Sequence, residues 1–151
     1  MAKVKKDILE TLSGSTSFKM NSAVVVLRKI STKFFTELLN DLKKDIEAGK
    51  VYRMTQGKSA IVIICEEPFG RELKKKYGAN VVFFEDDLVA FTIMSPKKAI
   101  ATPGILSYVL NRLAKEKVNV IQLITTYTDI TLLIKRTDFF KVMDFFGLFE
   151  K

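Results

Sequence analysis

The residues best suited to chemistry in this sequence are Thr102, Pro103 and Gly104 in the stretch ATPGILSYVLNRL, and the chemistry they suit is recognition of an anion. Pro103 pre-sets the dihedral of a first helical turn, and Gly104 lets another group approach the backbone closely. The amides at such a helix start are unpaired and weakly positive, so a carboxylate fits there. The same letters also satisfy a plain structural reading, in which Thr102 caps the helix and Pro103 takes its first position.

Other chemistries find little to work with. The 151 residues contain no histidine, which removes the usual neutral-pH proton shuttle, the common metal ligand and every triad that needs an imidazole. The acid pairs Glu66-Glu67 and Asp86-Asp87 flank a strand or a helix, where acids cap and solubilise, and they receive no catalytic role. Gly57-Lys58-Ser59 resembles the end of a phosphate loop, but Tyr52 stands where that motif needs its first glycine, so the tripeptide reads as a turn. The single Cys65 lies inside the apolar run AIVIIC and supplies neither a disulfide framework nor a metal cluster. No cofactor and no metal are expected, and a lone thiol suits a reducing cytoplasm.

The elements that must position the 102–104 start follow from periodicity. Val4, Ile8 and Leu12 mark a short N-terminal helix, SGSTS at 13–17 breaks it, and residues 1–22 read as helix and linker. AVVVLRKI (23–30) reads as a strand, followed by a helix over Ser31 to Ile46 with Phe35, Leu38, Leu39, Leu42 and Ile46 at helical spacing. VYRMT (51–55) and KSAIVIIC (58–65) form a hairpin about Gln56-Gly57. Pro68 opens a helix with Phe69, Leu73 and Tyr77 as its stripe, Gly78 stops it in the left-handed conformation, and NVVFF (80–84) is a further strand.

Acidic Glu85, Asp86 and Asp87 then separate a second pass through the same grammar. LVAFTIMS (88–95) is a strand, and Leu106, Val109, Leu110 and Leu113 mark a helix. VIQLITTY (120–127) and ITLLIKR (130–136) are strands joined at Thr128-Asp129. Thr137 caps a last helix carrying Phe139, Val142, Met143 and Phe146, and the chain ends before another strand. The expected fold is α+β, with two tandem ferredoxin-like βαββαβ units, 23–84 and 88–151, each an antiparallel sheet covered by helices on one face. A single α+β domain without internal symmetry predicts nearly the same elements. Phe139, Phe140, Phe145, Phe146 and Phe149 exceed what one helix face buries, which points to a subunit or domain contact.

Composition bounds the partners. At 48% hydrophobic and 28% charged the chain can bury a real core, and no apolar stretch is long enough to span a membrane. A formal charge of +8 invites a nucleic-acid reading. Its lysines fall in short groups, however, at Lys3, Lys5 and Lys6, at Lys74 to Lys76, and at Lys97 and Lys98, as on solvated faces.

The segment AIATPGILSYVLNRLAKEKVNVIQLITTYTDITLLIKRTDFFKVMDF resembles an ACT domain, in particular the regulatory ACT repeats of aspartate kinases, over roughly residues 88–147. The shared features are a Pro-Gly loop opening the first helix, Asn-Val starting the second strand and a Thr-rich turn into the third. The resemblance implies a metabolite sensor whose domains pair side by side, with an amino acid held between the helix loop of one domain and the strand start of its neighbour. It puts Ala101, Thr102, Pro103, Gly104, Ile105 and Leu106 on the loop, and Asn119, Val120 and Ile121 on the facing strand. Two departures stand out. Ala101 occupies a position that is acidic in many members, which removes one partner for a ligand's ammonium, and the 23–84 unit has no Pro-Gly loop, so it keeps the fold as a scaffold without the pocket.

The expected function is that of a non-enzymatic, allosteric, homodimeric regulator in amino-acid metabolism. It would bind an amino acid or similar metabolite and act through oligomerisation or on a partner enzyme, with no membrane association. The competing reading is a nucleic-acid-associated transcriptional regulator using basic surface patches, the lysine-rich N-terminal helix and the loop around Lys97.

Overall fold

A computed structural model describes residues 16–94, 104–127 and 129–145, the side chains of Ile105 and Phe145 excepted. The expected N-terminal helix at 3–12, the loop residues 95–103 and the chain beyond 145 lie outside the described residues. The described residues pack as two units, 21–88 and a second made of 16–20 with 89–145.

The 21–88 unit draws on strands β1 (Thr16–Arg28), β2 (Val51–Gln56), β3 (Ala60–Glu66) and β4 (Val81–Met94), with helices α1 (Thr32–Glu47) and α2 (Glu67–Lys76). The strand order β2-β3-β1-β4 is that of a ferredoxin-like unit. Alternation sets the faces: Ala23, Val25 and Leu27 of β1 join Ile61, Ile63 and Cys65 of β3 in one core, with Leu38 and Leu42 of α1 and Phe69 and Leu73 of α2. Both helices therefore cover the same side of the sheet. Antiparallel pairing places Val25 opposite Ile63 and Leu27 opposite Ile61.

Local chemistry fixes the turns. Ser31 caps α1 by accepting from the Phe34 amide at 3.1 Å. Gly49, at φ +79°, closes the helix as the Gly49 amide bonds to Ile46 O and the Lys50 amide to Asp45 O. The hairpin turns through the Gly57 amide, which donates to Ala60 O at 2.7 Å. Burial pushes the Cys65 thiol up to about 12, first by desolvation and then through the charge of Glu66, which makes it an inert core group.

Three expectations for this unit need correction. β1 starts at Thr16, inside the expected break and linker, and ends at Arg28 rather than residue 30. Gly78 is not left-handed; the chain passes through Tyr77 into a 3-10 turn at Gly78–Asn80, stabilised by the Asn80 amide on Tyr77 O. Glu85, Asp86 and Asp87 do not separate two strands, because β4 runs unbroken from Val81 to Met94 with Asp87 alone at φ +58°.

In the second unit, residues 89–94 of β4 are followed by α3 (Ile105–Lys115), β5 (Val120–Thr126), β6 (Asp129–Lys135) and α4 (Phe139–Phe145). The strand order here is β1-β4-β6-β5, with residues 16–20 of β1 belonging to this unit. Phe18 marks the junction, its ring centroid 5.7 Å from that of Phe91 and 5.2 Å from that of Phe139. The core gathers Val89, Phe91 and Ile93 with Leu132 and Ile134, under Val109 and Leu113 of α3 and Val142 and Met143 of α4.

Thr137 does not cap the last helix. It sits inside a 3-10 turn, Arg136–Asp138, and α4 begins only at Phe139. Phe139 packs on the core while Phe140 remains 70% exposed. No helix among the described residues is long and apolar enough to cross a membrane.

Candidate functional site

The candidate site is assembled at the two ends of α3. Val109 and Leu113, one turn apart, anchor this helix to the core and leave its termini at the edges of the unit. At the first end Gly104 is the cap residue, left-handed at φ +85°, and the first intrahelical bond runs from the Tyr108 amide to Gly104 O at 2.9 Å. The plain reading with Pro103 at the first helical position is therefore corrected, since the helix starts at Ile105 and Pro103 precedes the cap.

A glycine cap has no side-chain oxygen to offer. The amides of Ile105, Leu106 and Ser107 thus lie ahead of the first helical bond at a positive dipole end, with no side-chain cap. Basic Arg112 and Lys115 occupy the last turn, where they suit the negative end. In the 21–88 unit the equivalent helix start is closed by Ser31, whose oxygen already takes the Phe34 amide.

The second end holds Asn119, Val120 and Ile121. The chain leaves α3 through Lys117, left-handed at φ +60°, with the Lys117 amide on Ala114 O and the Val118 amide on Leu113 O. This is the closure that Gly49 makes after α1, formed here without a glycine, and the sequence carried no signal for it. β5 then pairs Val120 with Ile134 and Gln122 with Leu133, so Ile121 sits at a register shift. Asn119 is exposed and Val120 and Ile121 are half-buried. Among the described residues β5 neighbours β6 alone, and no described strand lies along its other edge.

Of the nine expected site residues, Gly104, Ile105 and Leu106 come together at one end of α3 and Asn119, Val120 and Ile121 at the other. Ala101, Thr102 and Pro103 lie outside the described residues. An 11-residue helix is about 16 Å long, so the two groups cannot line one pocket in a single unit. No group of acidic or cysteine side chains among the described residues is placed to hold a metal ion.

Residues 83–145 match the family model of the ACT domain, in accord with the resemblance seen over 88–147. No curated protein matches the chain. Among solved structures, the fold is similar to the regulatory subunit of aspartate kinase from Thermus flavus, at a TM-score of 0.70 and 13% identity, covering 89% of this chain and 95% of that one. It is also similar to Clostridium acetobutylicum aspartate kinase, at 0.68 and 16%, covering 89% of this chain and 34% of that one. Aspartokinase III of E. coli in complex with lysine and aspartate gives 0.65 and 16%, covering 89% and 33%. The chain thus spans about a third of the length of these two kinases and nearly all of the regulatory subunit.

Proposed function

With residues 83–145 recognised as an ACT domain, we propose that this protein is a non-enzymatic regulator that binds an amino acid or a similar small carboxylate at the start of α3. The observation that carries the reading is the contrast between two helix starts in one chain. Ser31 caps the first with its own hydroxyl, whereas Gly104 has no side chain with which to cap the second. In this proposal the 16–20 and 89–145 residues form a second ferredoxin-like unit, the two are tandem ACT-like units, and the 21–88 unit serves as scaffold.

The ligand would lie between Ala101 to Leu106 of one domain and Asn119 to Ile121 of a neighbour, because about 16 Å of helix separates the two groups within a unit. A homodimer in the cytoplasm, paired along the β5 edge that no described strand covers, supplies that neighbour, and exposed Phe140 adds apolar surface for a contact. Ligand binding would shift domain pairing only to the extent that the paired arrangement binds more tightly, and the effect would be passed to a partner enzyme of amino-acid metabolism.

The competing nucleic-acid reading uses the lysine-rich N-terminal helix and the loop around Lys97, which lie outside the described residues. Lys74, Lys75 and Lys76 occupy the last turn of α2, where they complement the helix dipole, and the Lys74 ammonium lies 4.7 Å from the Phe84 ring centroid.

Thermal unfolding in the presence of each common amino acid tests the proposal. A ligand at 100 times its dissociation constant stabilises the folded state by about 2.7 kcal/mol, so at least one member of the panel is expected to raise the melting temperature by several degrees. A flat response across the panel would remove the sensor function and leave a structural one.

A further inference from the structure

We propose that Glu67, braced by Arg71 and Asp86, is a clamp that holds β4 in a left-handed joint at Asp87, giving the strand two backbone conformations between which the clamp selects. Asp87 stands at φ +58° inside a strand that is otherwise extended, a conformation that an L-residue adopts against its steric preference and that aspartate tolerates better than most. Something must hold it there. The Asp87 amide donates to Glu67 Oε2 at 2.7 Å, and Glu67 Oε1 accepts from Arg71 Nη2 at 2.6 Å. Arg71 Nε in turn donates to Asp86 Oδ2 at 3.2 Å.

Both oxygens of one carboxylate are thus engaged, one on the backbone of the joint and one on the cation that also grips the preceding residue. The Glu67 side chain is only 15% exposed, while Asp87 itself is exposed. All four residues belong to the 21–88 unit. A left-handed residue in a strand re-aims the side chains that follow it. The clamp consists of these side-chain bonds and the backbone angle they hold, and it involves no ligand.

A purely structural role for Glu67, as an acid in the first turn of α2, predicts no change of backbone at residue 87 when it is removed. The clamp predicts one. In the full chain, Glu67→Ala is expected to move the φ-sensitive amide-to-Hα coupling and the Cα shift of residue 87 from left-handed towards extended values. It is also expected to speed exchange of that amide by about tenfold, the loss of one charge-assisted hydrogen bond. The double variant Glu67→Ala with Asp87→Gly is expected to keep the left-handed values, since glycine adopts positive φ without steric cost. A left-handed signature and unchanged exchange at Asp87 in folded Glu67→Ala overturn the proposal. If that variant does not fold, Arg71→Gln decides: faster exchange of the Asp87 amide supports the clamp, and unaltered exchange overturns it.

Discussion

Replacing Phe91 by alanine is expected to lower folding stability by about 3–5 kcal/mol. The ring is fully buried, and it packs in a triangle with Phe18 at 5.7 Å and Phe139 at 5.9 Å between centroids. It joins two segments that are distant in sequence, the strand residues 16–20 and helix α4, so its removal costs packing on both sides. Neither neighbour can collapse into the gap easily. Phe18 is fixed by its strand, and Phe139 opens a helix held down by Val142 and Met143. Urea unfolding followed by circular dichroism measures the loss, and a change below about 1 kcal/mol would contradict the assigned core.

Gly70→Val is expected to cost about 3 kcal/mol by the same measurement, although valine is a better helix former than glycine. A Cβ at this position would stand 2.8 Å from the Cβ of Ala23 and 3.3 Å from Cys65 Sγ. Those neighbours belong to β1 and β3 in the middle of the core, and an alanine methyl cannot rotate out of the way. Gly70 is what lets α2 lie directly on the sheet. Ser59→Ala, on an exposed turn outside these contacts, serves as the control and is expected to change stability by no more than about 0.5 kcal/mol.

Much of the fold was legible because amphipathic spacing is local information. Leu38 and Leu42, four apart and preceded by Ser31, placed α1 within one residue of its observed ends. The Gln56-Gly57 signal placed the hairpin, and Val109 with Leu113 placed α3. What escaped depends on partners distant in sequence. TSFKMNS at 16–22 has the polar composition of a linker and becomes strand because β4 offers it an edge to pair with. Asp86 and Asp87 carry turn chemistry, yet β4 continues through them, since the Glu67 carboxylate satisfies the Asp87 amide from another element. Lys117 in a left-handed helix closure is unreadable for a different reason: its bonds are local, and nothing in its side chain requires the conformation.

The candidate site was legible to a similar depth. Gly104 announced a helix start open to a ligand, and the structure makes it the cap of α3 without a side-chain acceptor. That the two halves of the site stand at opposite ends of that helix follows from its length, which is why the sequence reading set them on neighbouring domains. The ligand's identity is less legible still. Backbone amides recognise any carboxylate, and Ala101 removes an acidic residue that would have marked an ammonium partner.

The most direct measurement is a two-dimensional amide spectrum of the labelled protein, titrated with the panel member that most raises its melting temperature. The account predicts saturable shifts at Gly104, Ile105 and Leu106 together with Asn119, Val120 and Ile121, and none at Ser31 to Phe34. Shifts confined to one end of α3, or centred on the Ser31 helix start, would contradict it.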